Sequence, residues 1–331
     1  MMTQARHVLI SSVKDEGPFL LEWVAHHRVL GFDQIFIASN DCRDGTDRLL
    51  AALDVAGFIT HVPNKVAPSQ IPQHSGYDRI RRDHDIDSAD WLMMLDADEF
   101  LNVHVGDHRV QDLTRWADPD IDVIALCAMG FTDAPQINWQ PGRVCALFPT
   151  AVAVDHKANG AVKTLTRQPS RFKGIHNHHM VGWQGEGAVQ VLRGDGTRFA
   201  LPGSVPIWKK LRNLPQRDIS HRLAQYNHYA VKTWDSFMLR KDRGRGAVPS
   251  SVTDRARHTE AYFAQNSQGS GPEPSILRYA AEVEAMMAEM LTHRKVLRRQ
   301  QDTEAAYAAL AAPYRRDPAP GPTQSAAAWV R

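Results

Sequence analysis

The chain has 331 residues, with 39 Lys and Arg against 37 Asp and Glu, 43% hydrophobic and 23% charged side chains. That is room for one large or two modest globular domains and excludes a disordered or fibrous chain. A formal net charge of +2 gives no basic excess for general nucleic-acid binding, and three widely spaced cysteines (Cys42, Cys127, Cys145) suit neither a disulfide framework nor a zinc ribbon.

Residues 1–6 bring no apolar segment of the kind a signal peptide needs, and no run approaches the roughly 18 apolar residues of a membrane span. A cytoplasmic protein, free or resting on a membrane face, is expected. His7–Val13 (HVLISSV) is a short β-branched run and reads as a buried strand. Gly17-Pro18 opens a helix that Gly31 closes, and residues 34–40 form a second strand. Asp44-Gly45-Thr46-Asp47 supplies capping oxygens for a helix through Ala56, closed by Gly57. A third strand over 58–62, a helix over about 75–87 and a fourth strand over 91–95 follow. The last strand runs straight into Asp96-Ala97-Asp98-Glu99-Phe100.

Strand–helix repetition of this kind implies a doubly wound, mostly parallel α/β sheet. Ligands of such sheets sit beyond the carboxyl ends of the strands, which selects Lys14, Asp15 and Glu16, then Asn40 and Asp41, then Asp96 and Asp98. Farther along, 121–129, 144–148 and 161–165 read as strands, 171–183 is dense in histidine, and 226–246 is bounded by basic residues. Residues 266–274 read as a linker. Ser275 caps a final helix carrying Val283, Met286, Met287, Met290 and Leu297, and a Pro/Ala-rich tail over 313–331 is expected to be disordered. The expected organisation is a main domain over 1–265, a linker and C-terminal helical extension over 266–312, and that tail.

Asp96 and Asp98 stand at i and i+2, so in extended geometry both side chains point to one side. Mg²⁺ is usually held by one or two carboxylates plus substrate phosphates, so two carboxylates in an open crevice are half of a metal site that a diphosphate completes. The plainer alternative is a solvated turn capped by Asp98 or Glu99; the position at a selected strand end favours the metal. No P-loop and no G-x-G-x-x-G follows the first strand, and residues 41–45 lack the alternating oxygens of an EF-hand.

KDEGPFLLEWVAHHRVLGFDQIFIASNDCRDGTDRLL, followed by ADWLMMLDADEFL, resembles the family 2-like and family 92-like glycosyltransferases of GT-A fold. The match covers most of 7–101 and resumes more weakly at Lys163-Thr164-Leu165 and at Asn227-His228-Tyr229-Ala230-Val231-Lys232. Asp15, where Asn is usual, and Cys42-Arg43 depart from the pattern. The resemblance implies transfer of a sugar from a nucleotide-sugar, a UDP-sugar foremost, to a hydroxyl of a glycan or lipid-linked acceptor. Asn40 and Asp41 would meet the nucleoside, with Lys14, Asp15 and Glu16 lining the same pocket. Asp96 and Asp98 of the D-x-D motif would hold Mn²⁺ or Mg²⁺ on the diphosphate, with Glu99 on the sugar or on the water around the metal. A later histidine often joins the metal; His176, His178 and His228 are the candidates, His176 first. The histidine cluster reads equally as a polar loop. Lys163, Lys232, Lys241 and Arg243 either pair with the donor's phosphates or are solvated, as do Arg240 and Arg245. The family expectation is an inverting displacement, its base beyond the strand over 121–129, where Asp133 is the nearest carboxylate. Two rivals are a non-catalytic nucleotide- or carbohydrate-binding module on the same scaffold and a metal-dependent hydrolase.

Overall fold

The computed structural model describes residues 5–249, 251 and 258–317. The N-terminal third follows its hydrophobic pattern: β1 His7–Val13, α1 Gly17–Val29, β2 Gln34–Ser39, α2 Thr46–Val55, β3 Thr60–Pro63, α3 Pro72–Asp83 and β4 Trp91–Met94. Next come β5 Glu99–Val103, α4 Val110–Arg115, β6 Val123–Gly130, α5 Val144–Leu147, β7 Thr150–Ala151, β8 Val162–Arg167, β9 Phe172–Ile175 and β10 Met180–Trp183. The chain continues through β11 Ala188–Arg193, β12 Arg198–Pro202, α6 Ile207–Leu211, β13 Ala224–His228 and α7 Trp234–Arg243. It ends with α8 Glu260–Asn266, β14 Gly271–Pro272, α9 Ala280–Thr292 and α10 Arg294–Ala311.

A ten-stranded sheet runs in the order β12-β11-β6-β8-β4-β1-β2-β3, with β13 joining β6 and carrying β5. β1, β2, β3 and β4 are parallel, as are β6 with β11 and β6 with β13. β8 lies antiparallel between β4 and β6. The expected mostly parallel α/β sheet is therefore present, with antiparallel pairings at β5, β8 and β12 making it mixed. Along β1, Leu9 enters the core beneath α1 and α2, whereas Val8 and Ile10 enter the opposite core with Tyr77 and Ile80 of α3. Alternation of two apolar faces is what a strand covered by helices on both sides requires.

Several boundaries differ from expectation, each for a local reason. Residues 144–148 form no strand: the buried carboxylate of Glu22 accepts the Val144 and Cys145 N–H groups (2.5 and 3.3 Å) and so satisfies the first turn of α5. α3 begins at Pro72, where a missing N–H costs nothing, and stops at Asp83. The proposed linker contains β14, which pairs with β7. The final helix is two helices that break at His293, so Val283, Met290 and Val296 are buried while Leu297 is 40% exposed. α9 and α10 belong to the main core, packed on α1 and α2. Gly17 lets α10 approach closely: a Cβ there would lie 1.9 Å from Thr303 Oγ1. In the tail, residues 312–314 form a turn, and Arg316 exchanges backbone hydrogen bonds with the Asn138 side chain. The rest of the expected disordered tail, 318–331, lies outside the described residues. Among the described residues, no helix is long and apolar enough to cross a membrane.

Candidate active site

β4 delivers the acidic cluster to the rim of the sheet, beside the ends of β1 and β2. The chain then turns: the Glu99 N–H donates to the Asp96 carbonyl (3.0 Å), and β5 leaves in a new direction to pair with β13. Trp23 of α1 pins this turn from below, its indole N–H donating to the carbonyls of Asp96 and Glu99 (3.1 and 2.9 Å). Asp96 and Asp98 thus sit on a turn and not on one face of an extended strand, yet both line a single crevice of about 430 Å³. Its wall also includes Lys14, Glu16, Asn40, Asp41, Glu99, His178, His228, Lys241 and Arg243.

The two aspartates differ in surroundings. The Asp96 side chain is 34% exposed, and it accepts from Gln73 Nε2 at 2.8 Å and from Lys163 Nζ at 3.3 Å. The Asp98 side chain is 3% exposed, with Arg240 Nη1 2.5 Å and His228 Nε2 3.6 Å from its Oδ2. Burial pushes its carboxyl up, but Arg240 and His228 outweigh burial and hold it well below the usual carboxylate range. Glu99 is buried; its Oε2 accepts the Asp96 N–H (2.8 Å) and lies 2.9 Å from Lys163 Nζ. Burial raises the Glu99 carboxyl, with Lys163 pulling against it.

Lys163, expected either on the donor's phosphates or in solvent, is found in neither place. It rises from β8 between β4 and β6, is fully buried, and places its ammonium behind the acidic turn, off the crevice wall. The third partner of its Nζ is the Asn177 carbonyl at 3.1 Å. Burial opposes its charge, but Asp96 and Glu99 keep it protonated.

The basic residues divide in the same way. Arg243 donates to the carbonyls of Lys14 (2.5 Å) and Asp15 (3.0 Å) and pairs with the Glu16 carboxylate, while still lining the crevice. Lys232 is buried, 3.8 Å from Glu16 and 4.4 Å above the Phe19 ring, so it holds the loop after β1 and is not on the crevice wall. Asp15 is also withdrawn: its carboxylate accepts from the Arg43 N–H and Nε (2.6 and 2.9 Å). Asp15 and Asp41 both have positive φ (49° and 48°), a conformation that Asp tolerates and that turns the chain sharply at the ends of β1 and β2. Past α7 the chain crosses the crevice mouth, and the Gln73 N–H donates to the Gly246 carbonyl at 3.0 Å.

The ranking of histidines changes. His176 packs against His74 with the rings tilted, centroids 5.2 Å apart, and is not on the wall. His178 lines the crevice with Nδ1 2.9 Å from the Val162 carbonyl, and burial keeps the ring neutral. His228 is the one beside the acid pair, because β13 pairs with β5 in a register that sets it opposite Glu99. Asp133 lies in the loop after β6, where its carbonyl accepts the Gln136 N–H, and it is not part of the wall. Gln73 carried no sequence signal. Arg240 did, standing one helical turn before Arg243 on the same face of α7.

Among the described residues, no three His, Cys, Asp or Glu side chains converge as a ready metal site. The chemistry of the pair Asp98 and His228, with Asp96 on the same wall, nonetheless fits a hard divalent cation that takes its remaining ligands from substrate oxygens.

Sheet, crevice and acidic turn together define an α/β protein with an open crevice at the carboxyl ends of parallel strands, the place where such sheets bind their ligands. No family model matches the chain. It is similar to a rice protein named as glycosyltransferase family 92, 23% identical over 268 residues, covering 79% of this chain and 39% of the relative. An Arabidopsis thaliana protein of the same family name is 21% identical over 269 residues, covering 78% and 40%. The chain thus spans about two-fifths of the length of these relatives, which carry the family name that its motifs resemble. Among solved structures, S. aureus TarS 1–349 aligns over 93% of this chain and 91% of its own at 7% identity and a TM-score of 0.34. The galactosyltransferase LgtC, in complex with donor and acceptor sugar analogues, aligns over 83% and 99% at 12% identity and 0.32.

Proposed function

We propose that this protein is a glycosyltransferase that binds a nucleotide-sugar, a UDP-sugar foremost, in the crevice and transfers the sugar to a hydroxyl of a glycan or lipid-linked acceptor. The observation that carries this reading is the division of one wall into an acidic turn (Asp96, Asp98, with His228) and a basic rim (Lys14, Lys241, Arg243). A diphosphate is the ligand that needs both, cationic side chains for its own charge and carboxylates for the metal it brings. The crevice volume suits a ligand of that size.

In this reading Asn40 and Asp41 hold the nucleoside, and Lys14, Lys241 and Arg243 orient the diphosphate. Asp96, Asp98 and His228 would hold Mn²⁺ or Mg²⁺, which when bound supplies Lewis-acid stabilisation of the leaving diphosphate. Asp133, the carboxyl group expected as base, is not on the wall, whereas Glu99, expected on the sugar or on the water around the metal, lines it. Glu99 is therefore the proposed acceptor of the hydroxyl proton in an inverting displacement; its burial raises its proton affinity toward the working range of a general base.

The test is UDP release from a panel of UDP-sugars with Mn²⁺ and simple glycan acceptors. Acceptor-dependent release is expected from the wild type and none from Asp96→Ala, whose far-ultraviolet circular dichroism stays unchanged. Undiminished release from Asp96→Ala refutes the reading. Release without an acceptor marks a hydrolase, and binding without release marks a non-catalytic module.

A further inference from the structure

We propose that Arg240 and a divalent cation are alternative partners of Asp98, so that arrival of the cation transfers the Arg240 guanidinium to the donor's diphosphate. This rests on the donor-site reading above and adds to it a coupling between the two ligands.

The geometry carries the exclusion. The Asp98 carboxylate is almost fully enclosed, and its Oδ2 is the oxygen that faces both Arg240 and His228. A cation held between Asp98 and His228 would take this oxygen, the one nearest His228, and would meet the guanidinium already bound there. With so little solvent at the site, two positive charges cannot share the one carboxylate without strong repulsion. One of them leaves.

Arg240 has somewhere to go but not far. Its Nη1 also donates to the Ala230 carbonyl at 2.9 Å, and α7 is anchored by the buried side chains of Phe237 and Leu239. One turn on, Arg243 is fastened to the loop after β1, so the helix itself stays in place. Of the other carboxylates whose charge stabilises Arg240, Glu16 is already paired with Arg243 and Lys232, and Asp96 with Lys163 and Gln73. The displaced guanidinium therefore remains on the crevice wall while Glu16 and Asp96 keep their own partners, and an incoming diphosphate supplies the anion. Cation and nucleoside diphosphate then favour each other's binding, and by linkage the factor is the same in both directions.

Calorimetric titration of the full chain with MnCl₂, with UDP, and with each in the presence of the other tests this. In Arg240→Gln, Asp98 has no competing cation and the diphosphate has lost a partner. The variant is expected to bind Mn²⁺ alone about tenfold more tightly than the wild type and UDP in saturating Mn²⁺ about tenfold more weakly, within the usual range of coupling between sites. Its coupling factor falls accordingly. Should the Gln variant not fold, Arg240→Lys gives the same contrast at smaller size, its shorter side chain releasing Asp98 while keeping the charge. Mn²⁺ affinity equal to or weaker than wild type in the folded variant overturns the proposal, as does no Mn²⁺ binding by either protein. UDP affinity of the wild type separates the two readings: its absence sinks the donor site, whereas its presence with unchanged Mn²⁺ affinity in the variant sinks only the exchange.

Discussion

Replacing Lys163 by Met removes one charge from behind the acidic turn while nearly preserving side-chain volume. Lys163 is fully buried, and its ammonium serves Glu99 (2.9 Å), the Asn177 carbonyl (3.1 Å) and Asp96 (3.3 Å). Breaking a buried ion pair by removing one partner costs about 3–5 kcal/mol, and a carbonyl left unsatisfied adds about 1–3 kcal/mol. Glu99 can evade part of this by taking up a proton, which its burial already favours. The sign follows from that: without Lys163 the folded-state Glu99 carboxyl rises further above its unfolded value, so stability is lost as pH rises. We expect a loss of about 3 kcal/mol at pH 8, clearly smaller at pH 5, read from urea unfolding at both values. The lost ammonium also frees Asp96 and the loop carrying Asn177, so UDP binding in Mn²⁺ should weaken even where the variant is folded. A loss below about 1 kcal/mol that does not change with pH would refute the reasoning.

Two further predictions concern the frame around the site. Glu22, buried on α1, has its carboxyl pushed by burial up to about 7, against the N–H groups of Val144 and Cys145 that pull it down. The folded state therefore holds a proton that the unfolded chain has released above about pH 4.5, and stability falls by about 1.4 kcal/mol per pH unit across that window. Glu22→Gln removes this dependence, so its stability relative to wild type should climb by about 3 kcal/mol between pH 4.5 and 7 in urea unfolding, where a flat difference contradicts the assignment. Gly17→Ala should destabilise despite the better helix propensity of Ala, because the new Cβ would collide with Thr303 Oγ1 at 1.9 Å; about 1–3 kcal/mol is expected, and a neutral or stabilising result would show that α10 yields freely.

The parallel strands and the place of the ligand crevice were legible because both follow from local pattern. The apolar runs of β1, β2 and β4 are short, β-branched or fully buried, and the acids follow them directly. What the pattern could not show was what approaches from elsewhere in the chain. β5 looks like a continuation of the acidic run, and it becomes a strand only because β13 pairs with it. That same pairing selects His228 over His176. Lys163 lies in a strand run and Lys241 in a basic one, but only the fold shows that β8 buries the first behind the turn whereas α7 leaves the second on the wall. The run 144–148 is apolar enough for a strand, and only the Glu22 carboxylate, 122 residues away from Val144, makes it helical.

The claim on which the account rests is that the acidic turn and basic rim form one site for a nucleoside diphosphate with its metal. Thermal unfolding of the wild type and of Asp96→Ala, each with UDP alone, Mn²⁺ alone and both together, tests it most directly, since a ligand at about 100 times its dissociation constant stabilises the native state by about 2.7 kcal/mol. The account predicts that UDP with Mn²⁺ raises the wild-type midpoint more than either does alone and leaves the variant unmoved; an equal rise in both proteins, or none in the wild type, would contradict it.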